Sequence, residues 1–229
     1  IQKEKKPKEP QKAPIPEVFL KPKEPSPSNK PSDVLKHYWG FDSFRPFQEE
    51  IINSVITGND VFVVAPTSFG KSSVFQVPTM CMEGITIVIS PLIALQADQV
   101  TNSQAIGIPA ACLNSELGIK EKRTLLHLLQ NKLVKLLYVA PETFFSEGFV
   151  PFYETLKQQK INFIAVDESH SASQYSDFRP AYTRIHEARD MFPGIPLLAV
   201  TATADRRIKT DILKYCGFTN KYEEFKVPL

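Results

Sequence analysis

Cysteine is scarce in this 229-residue chain, and its three cysteines are scattered. Cys81, Cys112 and Cys216 form no CxxC pair, and their number is odd. A zinc site needs closely spaced ligands and a disulfide framework needs an even set of cysteines, so neither is indicated. We expect three small buried apolar side chains in a reducing compartment.

Long apolar runs and a strong net charge are also absent. No hydrophobic stretch approaches membrane-spanning length, and the polar, charged N-terminus does not look like a signal peptide. We therefore expect an intracellular protein with no membrane partner. The chain is 42% hydrophobic, which is enough for the full core of one α/β domain with extensions.

Residues 1–31 differ in composition from the rest of the chain. They hold eight of the nineteen prolines, eight lysines, four glutamates and no glycine. Such a segment cannot bury enough apolar surface to fold alone, so we interpret it as a Pro/Lys-rich flexible linker that precedes a folded domain at 32–229. Its one apolar patch, Val18-Phe19-Leu20, could instead dock on another surface.

The segment carries a net charge of +4, and since the whole chain carries +2, residues 32–229 carry −2. Nucleic-acid binding by the folded part would then need a local surface.

The segment at 65–72 reads Ala-Pro-Thr-Ser-Phe-Gly-Lys-Ser and follows a buried-looking apolar run at 61–64. The pattern is G-x-x-x-x-G-K-[ST], with Ala65 where the first glycine is usual. A helical stretch follows, and in this strand–loop–helix context the backbone N–H groups and the helix N-terminus can bind phosphates. Lys71 would supply a point charge and Ser72 a hydroxyl ligand for Mg²⁺. The alternative is an ordinary strand–turn–helix with a chance Gly-Lys-Ser.

Asp167 and Glu168 follow a second apolar run at 161–166. In parallel sheets, ligands bind beyond the carboxyl ends of the strands. Asp167 would hold Mg²⁺, Glu168 would orient or deprotonate the attacking water, and His170 could relay to a neighbouring segment. Alone, the acidic pair would indicate a solvated helix N-terminus. Together with the phosphate-binding pattern, it predicts phosphoryl transfer from a nucleoside triphosphate to water, with Lys71 as the fourth catalytic residue.

Strand and helix patterns alternate along the chain. We predict strands at 61–64, 85–90, 110–113, 135–139, 161–166 and 196–200, and helices at 33–39, 45–57, 71–82, 92–105, 118–131, 148–159, 180–191 and 205–215. Near-continuous apolar strands between helices predict an α/β fold, with a mostly parallel sheet covered by helices on both faces, as in a P-loop NTPase.

Further segments match more than a general nucleotide-binding fold. They lie at 41–52, 89–100, 112–115, 138–142, 165–168, 173–180 and 199–204. This series, in this order, resembles the first RecA-like motor lobe of RecQ-family DNA helicases over residues 33 to about 218. The resemblance implies a lobe that binds ATP and Mg²⁺ and works with a second RecA-like lobe. The whole would be a 3′–5′ helicase on single-stranded and forked DNA, with roles in DNA repair, recombination and replication. It would act in the nucleus of a eukaryote, or in the cytoplasm or nucleoid of a bacterium.

The resemblance also assigns roles to residues. Phe41 would stack on the adenine, Arg45 would support it, and Gln48 would read its edge through a donor and an acceptor. The remaining nucleotide contacts would come from Thr67, Ser68, Phe69, Gly70, Lys71, Ser72 and Ser73. DNA contact and its coupling to hydrolysis would come from Pro91, Leu92, Asn114, Tyr175, Phe178, Arg179, Thr201 and Thr203. Without the resemblance, Phe41 could be a core aromatic, and the two threonines could be plain caps at a strand end.

Several positions depart from the family pattern. Ser68 and Phe69 stand where the family has two glycines, and we expect Phe69 to pack against the nucleotide or a neighbouring loop. Tyr175 replaces a tryptophan, and Ser169 replaces an alanine. In the family a second lobe supplies arginine fingers, so we expect this lobe alone to bind nucleotide weakly, to hydrolyse it poorly and not to unwind duplex.

Two other functions fit parts of the sequence. The fold could serve as a non-catalytic scaffold that binds DNA or protein, although the intact Lys71, Asp167 and Glu168 argue against this. The chain could also be a different superfamily 2 motor, such as an RNA-directed helicase or a restriction-type motor. The Phe-Arg-Pro segment at 178–180 weighs against that alternative.

Overall fold

Seven parallel strands form the centre of the protein, described here from a computed structural model for residues 15–174 and 180–228. The strands are β1 (Val61–Val64), β2 (Ile85–Ile89), β3 (Ala110–Leu113), β4 (Leu136–Val139), β5 (Ile161–Val166), β6 (Leu197–Thr201) and β7 (Glu223–Lys226). Their order across the sheet is β3-β4-β2-β5-β6-β1-β7. Every pairing is parallel, which confirms the predicted α/β fold.

The sheet is buried on both faces because its central strands are continuous apolar runs. Alternate side chains of a strand point to opposite faces, so Val61 and Val63 join one hydrophobic cluster while Phe62 joins the other. All three are fully buried. Each such side chain contributes about 1.5–3 kcal/mol to folding when it leaves water.

Helices cover both faces of the sheet, as the alternating pattern predicts. In chain order they are α1 (Glu17–Leu20), α2 (Pro31–Trp39), α3 (Gln48–Ile56), α4 (Ser73–Cys81), α5 (Ile93–Ala105), α6 (Ile119–Gln130), α7 (Pro141–Phe144), α8 (Val150–Leu156), α9 (Ser171–Gln174), α10 (Glu187–Met191) and α11 (Arg206–Tyr215). The cluster that contains Val63 also holds side chains of α2 to α5. The opposite cluster holds side chains of α1 and of α6 to α11.

Two predicted helices differ from the structure, and the short helices α1, α7 and α9 were not predicted. The helix predicted at 180–191 is a 3₁₀ turn at Pro180–Arg184 followed by α10, and the stretch predicted at 148–159 is a 3₁₀ turn at Glu147–Phe149 that leads into the shorter α8. The edge strand β7 was not predicted. Its sequence is Glu-Glu-Phe-Lys, which lacks an apolar run because the strand is largely exposed at the sheet edge beside β1.

The described part of the Pro/Lys-rich segment lies against the domain. Val18 and Phe19 are 9% and 7% exposed and belong to the cluster that contains the side chains of α6. Farther along, the Lys23 ammonium donates a hydrogen bond to the His37 carbonyl at the end of α2, at 2.7 Å. Val18 and Phe19 are therefore packed against the domain, while the flexible linker at 1–31 stays a prediction. The domain boundary at 31 and 32 stays a prediction.

No helix in the described ranges is both long enough and apolar enough to span a bilayer.

Candidate active site

The two motifs that carry the predicted chemistry lie on either side of strand β6. The Ala65 amide, just after β1, donates to the Thr201 carbonyl at 3.0 Å, and the Ser169 amide, beyond β5, donates to the Val200 carbonyl at 2.9 Å. Since β1, β5 and β6 are parallel neighbours, their carboxyl ends meet at one edge of the sheet. Strands lie about 4.8 Å apart, so the phosphate-binding loop and the acidic residues are about two strand spacings apart at this edge.

Lys71 and Glu168 span this gap. The Lys71 ammonium lies 3.7 Å from Glu168 Oε1, and the two side chains are 9% and 22% exposed. His170 Nδ1 lies 3.4 Å from the other carboxylate oxygen of Glu168. The structure therefore brings together the four residues predicted to be catalytic, namely Lys71, Asp167, Glu168 and His170.

Asp167 is a buried carboxyl group with a raised pKa. Its pKa is raised from the usual 3.8 to about 6, first by burial and then by the neighbouring Glu168 charge, against the opposing effects of the Glu168 amide and of Lys71. The Glu168 amide donates to Asp167 Oδ1 at 2.9 Å. Glu168 itself has a backbone φ of 45°, a left-handed conformation that costs a non-glycine residue about 1 kcal/mol or more. A cation beside Asp167 would offset the cost of its buried charge, so the site suits a metal ion.

His170 joins the acidic residues to the end of β6. Its Nδ1 lies 3.1 Å from Thr201 Oγ1, while the Thr201 hydroxyl donates to the Thr203 carbonyl at 2.9 Å. Because the threonine proton is used in that bond, we assign the proton of the imidazole to Nδ1. Burial lowers the pKa of His170, Glu168 raises it and Lys71 lowers it. Thr201 is fully buried, whereas Thr203 is exposed.

The loop at 65–72 offers backbone donors beside Lys71. Thr67–Phe69 forms a 3₁₀ turn, Gly70 has a φ of 79°, and α4 begins at Ser73, two residues later than predicted. Within the described ranges, the amides of Gly70, Lys71 and Ser72 have no hydrogen-bond partner. Free amides at the start of a helix, together with a lysine and the Ser72 hydroxyl, fit the phosphates of a nucleotide.

Phe69 lies inside the core instead of facing the loop. It is 5% exposed and belongs to the cluster of α2, α3 and α4, while Thr67 and Ser68 are exposed. Its ring packs among these helices, whereas we expected it to pack against the nucleotide or a neighbouring loop. Ser73, also a predicted nucleotide contact, donates its hydroxyl to the Gly70 carbonyl at 2.8 Å.

A cavity of about 310 Å³ lies next to the loop, and the aromatic side chains of Trp39 and Phe41 are among its lining. Phe41, Arg45 and Gln48 line it, as the predicted adenine contacts should, and the Phe41 ring is 60% exposed. The Gln48 amide accepts from the Arg45 backbone at 3.0 Å and donates to the Phe69 carbonyl at 2.8 Å. The Arg45 guanidinium donates to the Ser68 carbonyl.

Four lining residues were missed from the sequence, namely Leu35, Trp39, Ser43 and Gln76. Gln76 could have been found, because it lies four residues after Ser72 and so on the same face of α4. Trp39, the one tryptophan of the chain, precedes Phe41 by two residues. Nothing in the sequence pattern separates it from a core aromatic.

The residues predicted to contact DNA are only partly at the surface. Leu92 is 49% exposed at the start of α5, whereas Pro91 is buried. Asn114 is 2% exposed, donates to Gln96 Oε1 at 3.3 Å and accepts from the Glu116 amide at 3.0 Å. Its buried amide therefore supports α5, and a part for Asn114 in DNA contact or its coupling to hydrolysis stays a prediction. Tyr175, Phe178 and Arg179 lie outside the described residues.

Comparison with known proteins identifies the class to which this fold and site belong. The family model of DEAD/DEAH box helicases matches residues 45–210, so the chain belongs to that family. Within it, the chain is a RecQ-like helicase motor domain. It is 42% identical over 191 residues to an ATP-dependent DNA helicase RecQ of Haemophilus influenzae, and 40% identical over 201 residues to an ATP-dependent DNA helicase Q5 of Rattus norvegicus.

The alignments cover most of this chain but a small part of each relative. They include 83% of the chain and 30% of the Haemophilus protein, and 85% of the chain and 21% of the rat protein. A solved structure of the DUF1998 helicase MrfA bound to DNA and AMPPNP is similar in fold, with a TM-score of 0.68 at 16% identity. That similarity covers 90% of this chain and 30% of MrfA. The chain thus spans about a third or less of the length of these proteins.

Proposed function

We propose that this chain is the ATP-binding and ATP-hydrolysing lobe of a 3′–5′ DNA helicase. The observation that carries the proposal is the 3.7 Å approach of the Lys71 ammonium to Glu168 Oε1 at the edge where β1 and β5 both end. One site then contains a cationic side chain that can bind phosphate and a carboxylate that can accept a proton from water. The relatives' names, which describe ATP-dependent DNA helicases, support the same substrate and partner.

In the proposed site, the phosphates are held by the free amides of residues 70–72 and by Lys71, which leaves its pairing with Glu168 when a phosphate arrives. Glu168 is then free to accept a proton from water. Ser72 and Asp167 supply hard oxygen ligands for Mg²⁺. When bound, Mg²⁺ would neutralise charge that develops on the phosphate oxygens.

Recognition of adenine is proposed to fall to Phe41, Arg45 and Gln48. The exposed Phe41 ring offers an apolar face, and the Gln48 amide offers both a donor and an acceptor. Since that amide is bonded to the Phe69 carbonyl in the free protein, base binding would exchange or share this bond. Base recognition and the conformation of the phosphate-binding loop are therefore proposed to be linked.

Coupling to DNA is proposed to run through His170 and Thr201. Their 3.1 Å contact joins the water-activating carboxylate to the segment 201–203, which ends in the exposed Thr203. The proposed partners are single-stranded and forked DNA and a second RecA-like lobe that would supply the arginine finger. A DNA-acting enzyme of this kind would work in the nucleus or the nucleoid, in processes such as repair, recombination and replication.

The proposal is tested with the parent protein, which includes the regions that the relatives have beyond this domain. We expect ATPase activity that rises with single-stranded DNA and that Lys71→Ala and Glu168→Gln reduce by at least about a hundredfold. Lys120→Ala, an exposed lysine on α6, is the matched control and should leave turnover unchanged. Normal turnover in both site variants would refute the assignment, and stronger activation by RNA than by DNA would favour an RNA-directed motor.

A further inference from the structure

A second polar cavity lies at the opposite end of the sheet from the phosphate-binding loop. It has a volume of about 200 Å³ and is lined by residues at the amino ends of β2, β4 and β5, including Gly84, Lys135 and Lys160. These strands are four to six residues long, so roughly 15–20 Å of sheet separates this cavity from the carboxyl edge. The residues assigned to the nucleotide do not line it.

Positive charge dominates the cavity. Lys132, Lys135 and Lys160 line it, and the one carboxylate among the lining residues is Glu83. Glu83 lies 3.7 Å from the Lys160 ammonium and its side chain is 87% exposed. Within the described ranges, Lys132 and Lys135 form no ion pair. The cavity therefore holds more cationic charge than its own residues neutralise.

Lys135 is held at the cavity by neutral groups. Its ammonium donates to the carbonyls of Glu83 at 2.6 Å and of Met82 at 3.3 Å, which leaves one of its three protons without a partner. Burial lowers the pKa of Lys135, while Glu83 raises it and Lys160 lowers it further. An anion in the cavity would stabilise this partly desolvated charge.

Lys132 lies at a position where a glycine is favoured. The helix α6 ends in a Schellman motif, with the Lys132 amide bonded to the Leu129 carbonyl at 2.9 Å and the Leu133 amide to the Leu128 carbonyl at 3.0 Å. Lys132 has a φ of 56°, which costs a side chain about 1 kcal/mol relative to glycine. That strained residue is one of those that line the cavity.

A buried donor without a partner lies beside Gly84, one of the residues that line the cavity. Asn162 is 4% exposed, and its Oδ1 accepts from the Gly84 amide at 2.9 Å. In the described part of the chain its Nδ2 has no hydrogen-bond partner. A Cβ at Gly84 would lie 2.5 Å from Asn162 Oδ1 and 2.1 Å from the Lys160 carbonyl, so glycine is required for this close approach.

We propose that this cavity is a second anion site, which binds a phosphoryl group independently of the phosphate-binding loop. Three lysines and one exposed carboxylate line the cavity, and lysine binds phosphate as a point charge. The volume is below the roughly 300–1,000 Å³ of sites that enclose a whole small molecule, so one or two phosphoryl groups fit better than an entire nucleotide. The phosphoryl group belongs either to a free oligophosphate or to a nucleic-acid backbone.

The test uses the 229-residue chain with Lys71→Ala, so that phosphate binding at the loop is weakened. Inorganic pyrophosphate is titrated while the amide NMR signals of Gly84, Lys135 and Lys160 are followed, with Gly70 as the reference for the other site. We expect saturable shifts at the three cavity amides. Lys132→Gln/Lys160→Gln should weaken this binding at least about tenfold. Lys120→Gln/Arg123→Gln removes the same charge from exposed positions on α6 and should leave the affinity unchanged.

A single-stranded oligonucleotide identifies the source of the phosphoryl group. If the ligand is a nucleic-acid backbone, pyrophosphate competes with the oligonucleotide, and the double variant lowers the slope of log affinity against log salt by about 1.4. If the ligand is a free oligophosphate, only pyrophosphate binding responds to the double variant. The proposal is overturned if the cavity amides show no saturable shift by about 10 mM pyrophosphate, or if the α6 control weakens binding equally. Shifts at Gly70 with ATP and Mg²⁺ in the unaltered chain test the proposed nucleotide site separately.

Discussion

The side-chain amide of Gln48 donates a hydrogen bond to the backbone carbonyl of Phe69, at a distance of 2.8 Å. Gln48 begins helix α3, and Phe69 closes the 3₁₀ turn of the phosphate-binding loop. The loop is thus held from two sides, by this bond and by the burial of the Phe69 ring among α2, α3 and α4. A glycine pair at 68 and 69 could not provide the second restraint, so this loop depends on the core for its shape.

Phe69→Ala should therefore destabilise the whole domain. Truncating a buried aromatic ring costs about 3–5 kcal/mol through lost burial and the cavity that remains. We expect a decrease of about 3 kcal/mol in the free energy of unfolding, measured by urea denaturation. Ser68→Gly changes the neighbouring, exposed position and should alter stability by less than about 1 kcal/mol. Equal effects of the two changes would show that the Phe69 ring does not anchor the loop.

Asp167→Asn should stabilise the metal-free protein at neutral pH. The carboxyl group has a pKa of about 6 in the folded protein and 3.8 when unperturbed, so the folded state binds more protons between these values. Stability then falls as the pH rises from 4 to 6, and the ionised carboxylate costs up to about 3 kcal/mol above pH 6. Asparagine keeps the oxygen that accepts from the Glu168 amide and carries no charge.

The measurement for Asp167→Asn is the free energy of unfolding against pH, in a chelator. We expect the variant to exceed the wild-type protein at pH 7.5 and the difference to shrink toward pH 4. A difference that is constant across this range would contradict the raised pKa of Asp167. The same variant should lose the stabilisation that Mg²⁺ and ATP together give the wild-type protein.

Ser169→Ala should raise stability. Ser169 is 1% exposed, and among the described residues its hydroxyl has no hydrogen-bond partner. Removing a buried, unsatisfied hydroxyl removes its desolvation penalty, so we expect a gain of about 1 kcal/mol in thermal or urea unfolding. Ser103→Ala provides the contrast, because the Ser103 hydroxyl accepts from Gln76 at 3.1 Å and donates to the Gln99 carbonyl at 2.7 Å. That change should cost about 1 kcal/mol, and a loss of stability in both variants would indicate that Ser169 is satisfied.

Phe19→Ala should release the N-terminal segment from the domain. The Phe19 ring is 7% exposed, whereas the adjacent Leu20 is 64% exposed. We expect faster proteolysis between residues 1 and 30 and a loss of about 2 kcal/mol in unfolding free energy for Phe19→Ala. Leu20→Ala should change neither quantity. If both variants behave like the wild-type protein, the segment does not pack on the cluster around α6.

The sequence by itself determined the parallel α/β architecture and predicted which residues form the candidate site. Apolar strands must be covered on both faces, which predicts the helices on either side of the sheet. A phosphate-binding loop lies between a strand and a helix, and the acidic residues follow a strand, so local pattern alone could assign roles to Lys71 and Asp167. The edge strand β7 escaped prediction, because pairing with β1 forms it without an apolar run. The burial of Val18 and Phe19 also escaped prediction. The composition of their segment indicates a linker, whereas the two side chains are buried because they pack against the surface of the domain.

Tertiary structure alone decided which side chains share a contact across distant parts of the chain. Lys71 pairs with Glu168, which lies far from it in sequence, and three lysines from distant segments surround Gly84. The burial of Phe69 and Asn114 likewise depends on side chains from distant segments. Local pattern reports the periodicity of one element at a time, whereas these contacts depend on the order of strands across the sheet and on the volume left between packed elements. Those quantities are set by the packing of all the elements together.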